Sequence, residues 1–278
     1  MKQILIATDF SPAAQQAVDY GLRLADALGA AATVVATYEE IPVPVADTWS
    51  MTFIDTSAAR DAIEQGLGRV QDRYQHEKAS SIRTLAVHGP AVRSILDTAA
   101  ELNADLIVAG MKGKGKPARK LLGSTVTTLA KRTTIPLLVV PENAKYTPPA
   151  TILFGSDIRP DTNIHVLDPL RQLVAAFRSR LYVLRVIQKG ADEFIEVVHN
   201  QAPLRDLDPT WDVKYEYKLG DDVVEVLSEF TRTQGVEMIV MVPRPHTLPE
   251  RWFMGSHTRE MLFETSLPVL LLPEITHS

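Results

Sequence analysis

A parallel α/β fold built twice over in one chain is what this sequence predicts, and three observations predict it. Short apolar runs alternate with segments of helical period along the whole chain. The same order of runs occurs in both halves. Between the halves lies Glu142-Asn143-Ala144-Lys145-Tyr146-Thr147-Pro148-Pro149, a polar, proline-rich stretch of the kind that links units.

In the first half, Ile4–Thr8, Ala32–Thr37, Thr84–His88, Leu106–Ala109 and Leu137–Val140 read as buried strands, because each is a short apolar run bounded by turn-forming or charged residues. Helices are expected between them. Pro12–Leu28 places Ala13, Ala17, Leu22, Leu24, Ala25 and Leu28 on or near one face, with Ser11 as N-cap and Pro12 in the first turn. Ser57–Glu77, Ala91–Leu102 and Ser124–Arg132 give three more. Glu39–Asp55, with Pro42, Pro44, Trp49 and Phe53, has little period and reads as a surface loop packed by its own aromatics, or else as a lid over a ligand site. In the second half the strands fall near Ile152–Ser156, Leu181–Val186, Val213–Lys218, Met238–Val242 and Val269–Leu272.

The repeat is visible in the residues themselves. Ile4-Leu5-Ile6-Ala7-Thr8-Asp9 returns as Ile152-Leu153-Phe154-Gly155-Ser156-Asp157. Ala104–Val108, Gly123-Ser124 and Ile135–Pro141 return as Val236–Val240, Gly255-Ser256 and Leu267–Pro273, all at one offset.

Composition narrows the function. With 278 residues, 45% of them apolar, the chain can bury two sizeable cores, and wholesale disorder is excluded. A net charge of −5, from 29 Lys plus Arg against 34 Asp plus Glu, argues against a dedicated nucleic-acid binder. The absence of cysteine excludes disulfides, thiol nucleophiles and cysteine-ligated metal sites. Met1-Lys2 runs directly into an apolar strand with no cleavage site and no long apolar stretch, so neither a signal peptide nor a membrane span is expected and the chain reads as cytoplasmic.

The loop after the fourth strand carries the chemistry. Gly110, Gly113 and Gly115 let backbone approach a ligand closely, and Gly123-Ser124-Thr125 opens a helix whose free N–H groups and dipole favour an anion. Between Leu106 and Pro141 there are seven Lys or Arg and no Asp or Glu, a bias toward phosphate. Gly110-x-x-x-x-Gly115-Lys116 imitates a Walker P-loop, but Pro117 stands where that motif needs a hydroxyl for magnesium, and the assignment is rejected.

At these residues the sequence resembles the universal stress protein family in its tandem two-domain form, over nearly the whole chain. The family's signature of Gly, two residues, Gly, nine residues and Gly-Ser or Gly-Thr is met by Gly110, Gly113, Gly123 and Ser124, and its aspartate closing the first strand by Asp9. The resemblance implies two domains, 1–143 and 149–278, each a five-stranded parallel sheet of order 3-2-1-4-5 with helices on both faces. The chain then reverses between strands 1 and 4, and ligands sit beyond the carboxyl ends of the strands at that reversal. It also implies an adenine nucleotide, ATP or a relative, with or without Mg2+. Asp9 would bond its adenine or ribose side, with Thr8 and Thr37 flanking the base. Gly110, Lys112 and Gly113 would wrap the ribose and phosphates, and Gly123, Ser124, Thr125 and Val126 would hold phosphate at the helix start. Lys112 departs from the histidine more usual at its place and should favour phosphate further.

The second half has lost the loop: Val242 and Pro245 stand where the signature wants glycine, although Asp157, Gly255 and Ser256 remain. Residues 147–278 hold 13 basic and 19 acidic side chains, against 16 and 15 in residues 1–146. No ATP is expected there, and the half reads as a packing partner or the site of another ligand. Family members pair through their last strands, so the runs ending at Val140 and Leu272 are expected to join as an intramolecular pseudo-dimer, with a homodimer of whole chains as a further association.

No catalytic or metal-binding constellation stands out. The seven histidines, His76, His88, His165, His199, His246, His257 and His277, form no His-x-x-x-His pair and read as surface or core residues. Asp9 lacks a second carboxylate nearby in sequence, and its alternative role is a bond to the turn at Ser11. Trp49, Trp211 and Trp252 read as packing residues. The sequence therefore points to a nucleotide-binding stress or regulatory protein with no nucleic-acid or membrane partner, the alternatives being a slow ATP hydrolase and an interaction scaffold that binds no nucleotide.

Overall fold

The computed structural model describes residues 1–39, 42–44, 51–53, 57–75, 82–112, 124–155, 164–187, 210–243, 260–262 and 265–273. Gly113, Gly123, Asp157, Pro245, Gly255 and Ser256 lie outside them.

The chain starts with β1 (Gln3–Ala7), whose Ile4, Leu5 and Ile6 are fully buried, as residues of a strand covered on both faces must be. Helix α1 (Pro12–Leu28) follows. Ser11 Oγ accepts the Ala14 N–H at 3.3 Å, and Gly29, with φ 63, closes the helix in the left-handed conformation that glycine adopts without strain. Then come β2 (Ala31–Tyr38), a hairpin of β3 (Pro42–Pro44) and β4 (Met51–Phe53), α2 (Ser57–Gln75), β5 (Ile82–His88), α3 (Ala91–Glu101), β6 (Leu106–Met111), α4 (Ser124–Arg132) and β7 (Leu137–Pro141). The connection that sequence presents as an aperiodic loop thus carries a small antiparallel pair. Strands of three residues are too short to show a period.

The second half runs β8 (Thr151–Gly155), a 3-10 turn at Ile164–Leu167, α5 (Asp168–Phe177), β9 (Arg180–Ile187), β10 (Val213–Leu219), α6 (Val223–Gln234), β11 (Met238–Met241) and β12 (Val269–Leu271). Asp222 caps α6, accepting from Val224 N at 2.8 Å and Glu225 N at 3.0 Å.

Apart from the small hairpin, these strands form one ten-stranded sheet of order β10-β9-β8-β11-β12-β7-β6-β1-β2-β5. Each half contributes five parallel strands in the order 3-2-1-4-5, and the halves meet where β12 pairs antiparallel with β7. There Leu270 stands opposite Leu138 and Val269 opposite Val139, all four nearly or fully buried. Because side chains alternate along a strand, Leu138 and Leu270 enter one core and Val139 and Val269 the other. Both cores run through both halves. The linker is held to the first half as well: Gln16 Nε2 donates to the Ala144 carbonyl, and the Tyr146 ring meets the buried Tyr20 edge-on at 5.0 Å.

One carboxylate device occurs twice. Asp105, just before β6, accepts the N–H groups of Lys2 and Gln3. Glu237, just before β11, accepts those of Ala150 and Thr151. Each ties the start of strand 1 to the start of strand 4. Partial burial pushes the Asp105 carboxyl up, but the two backbone donors, the amino terminus and Lys2 together push it down by more, so it titrates below its ordinary value. A group depressed in the folded state stabilises above its unfolded pKa and loses that contribution as pH falls. Asp105→Asn should cost about 1 kcal/mol at neutral pH, the modest figure suited to a largely exposed group. The gap from the parent should close below about pH 4. Urea melts of both proteins at several pH values would check this; a gap that persists at low pH would refute it.

Candidate functional site

The register of the strands makes a notch at the carboxyl end of β1. Ala7, its last residue, stands level with Val35 of β2 on one side and Ala109 of β6 on the other. From there β2 runs three residues further, in step with β5, to Tyr38 and His88. On the other side β6 runs two further, in step with β7, to Met111 and Pro141. At a rise of about 3.3 Å per residue, the two walls stand roughly 7–10 Å beyond the end of β1. This is the place in an open parallel sheet where the strand order reverses and a ligand fits.

The floor of the notch is the turn Thr8-Asp9-Phe10-Ser11. Thr8 is buried: its N–H donates to the Val35 carbonyl at 2.9 Å, and its Oγ1 accepts from Phe10 N at 3.0 Å. Its hydroxyl thus holds the turn. Asp9 is exposed, and its Oδ1 accepts the Ser11 N–H at 3.0 Å. That bond is the local role that sequence offered as the alternative for Asp9, and it uses one of two carboxylate oxygens.

On the β2 side, Thr37 lies two residues past Val35 and so belongs to the face on which Ala7, Val35 and Ala109 share a core with Val126 and Leu129 of α4. Thr37 and the start of α4 therefore lie on one side of the sheet. Beyond it, Glu39 Oε1 accepts the Ala91 N–H at 3.2 Å, supplying α3 with the cap that Pro90 cannot. The rings of Tyr38 and His88 meet at 5.3 Å and tie the two strand ends together.

On the β6 side, Gly110 is where glycine is needed for packing. A Cβ there would lie 2.2 Å from the Ala13 carbonyl oxygen and 2.8 Å from Ala14 N, inside the first turn of α1. The absent side chain lets the start of α1 lean on the end of β6, a close approach that the sequence assigned to a ligand. Lys112, the first residue past β6, is exposed, and Glu142 N donates to the Met111 carbonyl at 3.0 Å as the last bond of that wall. Helix α4 begins at Ser124, carries no acidic residue in its first turn and has Lys131 and Arg132 in its last, so its N-terminal end remains the electropositive one. Val126 is buried against the core, leaving its backbone rather than its side chain for a ligand.

The corresponding place in the second half differs in one wall. β9 and β10 again overrun, since Gly155 pairs with Leu184 and the strands continue to Ile187 and Leu219. But β11 stops at Met241, level with Gly155, and the last bond is from Leu272 N to the Met241 carbonyl at 2.9 Å. Pro243 stands where Met111 stands in the first half, and proline has no N–H with which to continue a ladder. Val242 stands where Gly110 does and carries a side chain, half-buried against the apolar core, where Gly110 has none. The helix α5 begins at Asp168, thirteen residues past Gly155, whereas α1 begins five past Ala7.

Among the described residues no group of three His, Cys, Asp or Glu is placed to hold a metal ion, and no helix is long and apolar enough to cross a membrane. Sequence reasoning missed Glu39 at this site, because it acts through a contact with the start of α3, an element far away in the chain.

A universal stress protein of Methanocaldococcus jannaschii is 29% identical over 147 residues, 52% of this chain and 84% of its own. Universal stress protein A homolog 1 of Coxiella burnetii is 28% identical over 139 residues, 50% of this chain and 95% of its own. Among solved structures, a universal stress protein from Archaeoglobus fulgidus superposes with a TM-score of 0.77, covering 98% of both chains at 16% identity, a likeness of fold over both halves. Residues 1–141 match the universal stress protein family directly, and this chain belongs to that family.

Proposed function

We propose that this chain is a nucleotide-binding regulatory protein, holding ATP or a related adenine nucleotide in the notch of its first half and none in its second. One observation carries the reading: among the described residues only the first half extends its strand-4 and strand-5 wall past the end of strand 1, and the helix that follows strand 4 starts with an end that favours anions. In this reading the second oxygen of Asp9 accepts from the ribose or adenine side, and Thr37 flanks the base. Gly110, Lys112 and Gly113 follow the ribose and phosphates. The backbone at Gly123, Ser124, Thr125 and Val126 holds phosphate, its charge met by the loop lysines with or without Mg2+. Thr8 serves by fixing the turn beneath Asp9.

The units are residues 1–143 and 149–278, working in the cytoplasm as an intramolecular pseudo-dimer through β7 and β12. Hydrolysis is at most weak: of the carboxylates at the site, Glu39 is held on the Ala91 N–H and Asp9 keeps one oxygen on the Ser11 N–H. Occupancy, rather than turnover, would be the signal. Gly113→Val should abolish ATP binding in calorimetry while leaving the thermal midpoint within a few degrees of the parent, since a bulky side chain then stands where backbone meets phosphate. Unchanged affinity in that variant would remove the site.

A further inference from the structure

Phe10, between Asp9 and Ser11, has φ 61, in the left-handed region that residues with a side chain adopt at a cost. Among the described residues two others without glycine's freedom do the same, Asn103 and Arg178, and both follow a helix end, where that conformation is common. Phe10 ends no helix. A strained residue persists only where its surroundings over-determine it, and such residues gather at functional sites.

Four contacts do so here. The Phe10 N–H donates to Thr8 Oγ1 at 3.0 Å, and its carbonyl accepts from Gln15 Nε2 at 2.9 Å. Its ring packs on the apolar core that holds Ile4, Ile6 and Leu67. Above it, α2 passes so closely that a Cβ on Gly66 would lie 2.5 Å from the ring's Cζ. Gly66 is the seat of the ring.

We propose that Phe10 is a positioning residue for the nucleotide site: its ring, seated on Gly66 of α2, holds the chain left-handed just after Asp9 and so aims the Asp9 carboxylate. This rests on the reading that Asp9 faces the nucleotide. The Ser11 N–H to Asp9 Oδ1 bond spans the strained residue, so it reports the turn without any ligand.

The test uses the full chain, with ATP affinity from calorimetry and the Ser11 amide resonance of ligand-free protein from NMR. Phe10→Ala removes the ring and keeps the strain, whereas Phe10→Gly removes both. Phe10→Ala should therefore weaken ATP roughly tenfold, the scale of one misaimed bond to a charged group, and Phe10→Gly by no more than about threefold. Gly66→Ala should shift the Ser11 amide and weaken ATP roughly tenfold in the parent, yet leave affinity within about twofold when added to Phe10→Gly. A purely structural role for Gly66 would weaken binding equally in both backgrounds and would overturn the proposal. Equal losses in Phe10→Ala and Phe10→Gly would overturn it too, and so would a Ser11 amide unmoved by Gly66→Ala. Failure of the parent to bind ATP at all would instead overturn the nucleotide reading, while the Ser11 shift still decides the positioning.

Discussion

Gly110→Val should cost at least about 3 kcal/mol and abolish nucleotide binding together, because the new side chain collides with backbone and not with a movable side chain. Its Cβ alone would fall 2.2 Å from the Ala13 carbonyl oxygen. To relieve that overlap, the first turn of α1 must lift from β6, carrying with it Ala13 and Ala14, both buried, and the Ser11 cap next to Asp9. The opposite exchange in the second half is the control. Val242→Gly should cost about 1–2 kcal/mol, the loss of a half-buried side chain packed on the core plus added backbone freedom, with no backbone collision behind it. Denaturant midpoints of the two variants would check the pair, and a Gly110→Val protein as stable as its parent would show that α1 does not pack on β6 as described.

Leu138→Asp should be nearly as severe, at about 3–5 kcal/mol, because it buries a carboxylate with no partner. Leu138 is 1% exposed and faces Leu270, which is 0% exposed, across the antiparallel junction. Both belong to a core that continues from one half into the other, so one cooperative transition should shift as a whole. Leu219→Asp is the comparison, on a side chain 62% exposed at the end of β10, and should stay within about 0.5 kcal/mol. Small-angle scattering of the parent bears on the same junction. A single compact particle agrees with paired fifth strands, and two freely moving lobes would contradict the pseudo-dimer.

Local chemistry made much of this fold legible. The apolar runs of β1, β2, β6 and β7 lie within a few residues of the observed strands, and Ser11, Pro12 and Gly29 mark the ends of α1 by ordinary capping rules. The repeat, with its shared offset, announced two similar halves. What escaped was whatever depends on contacts between distant elements. Gly110 and Phe10 are adjacent to the site in sequence terms, yet the reason for each lies in α1 or α2. Asp105 and Glu237 sit at the same repeat offset, but nothing local tells that they accept backbone N–H groups more than eighty residues away. The hairpin of β3 and β4 escaped because three residues carry no period. For the site, the turn at Asp9 and the helix start at Ser124 could be named from spacing, whereas the notch itself is a property of register.

The most direct measurement is calorimetric titration of ATP with magnesium into full-length protein refolded free of carried-over nucleotide, because its stoichiometry counts the competent halves. One nucleotide per chain, falling to zero in Gly113→Val, is the predicted result. Two per chain would contradict the view that Val242, Pro243 and Pro245 close the second half, and none would contradict the nucleotide site itself.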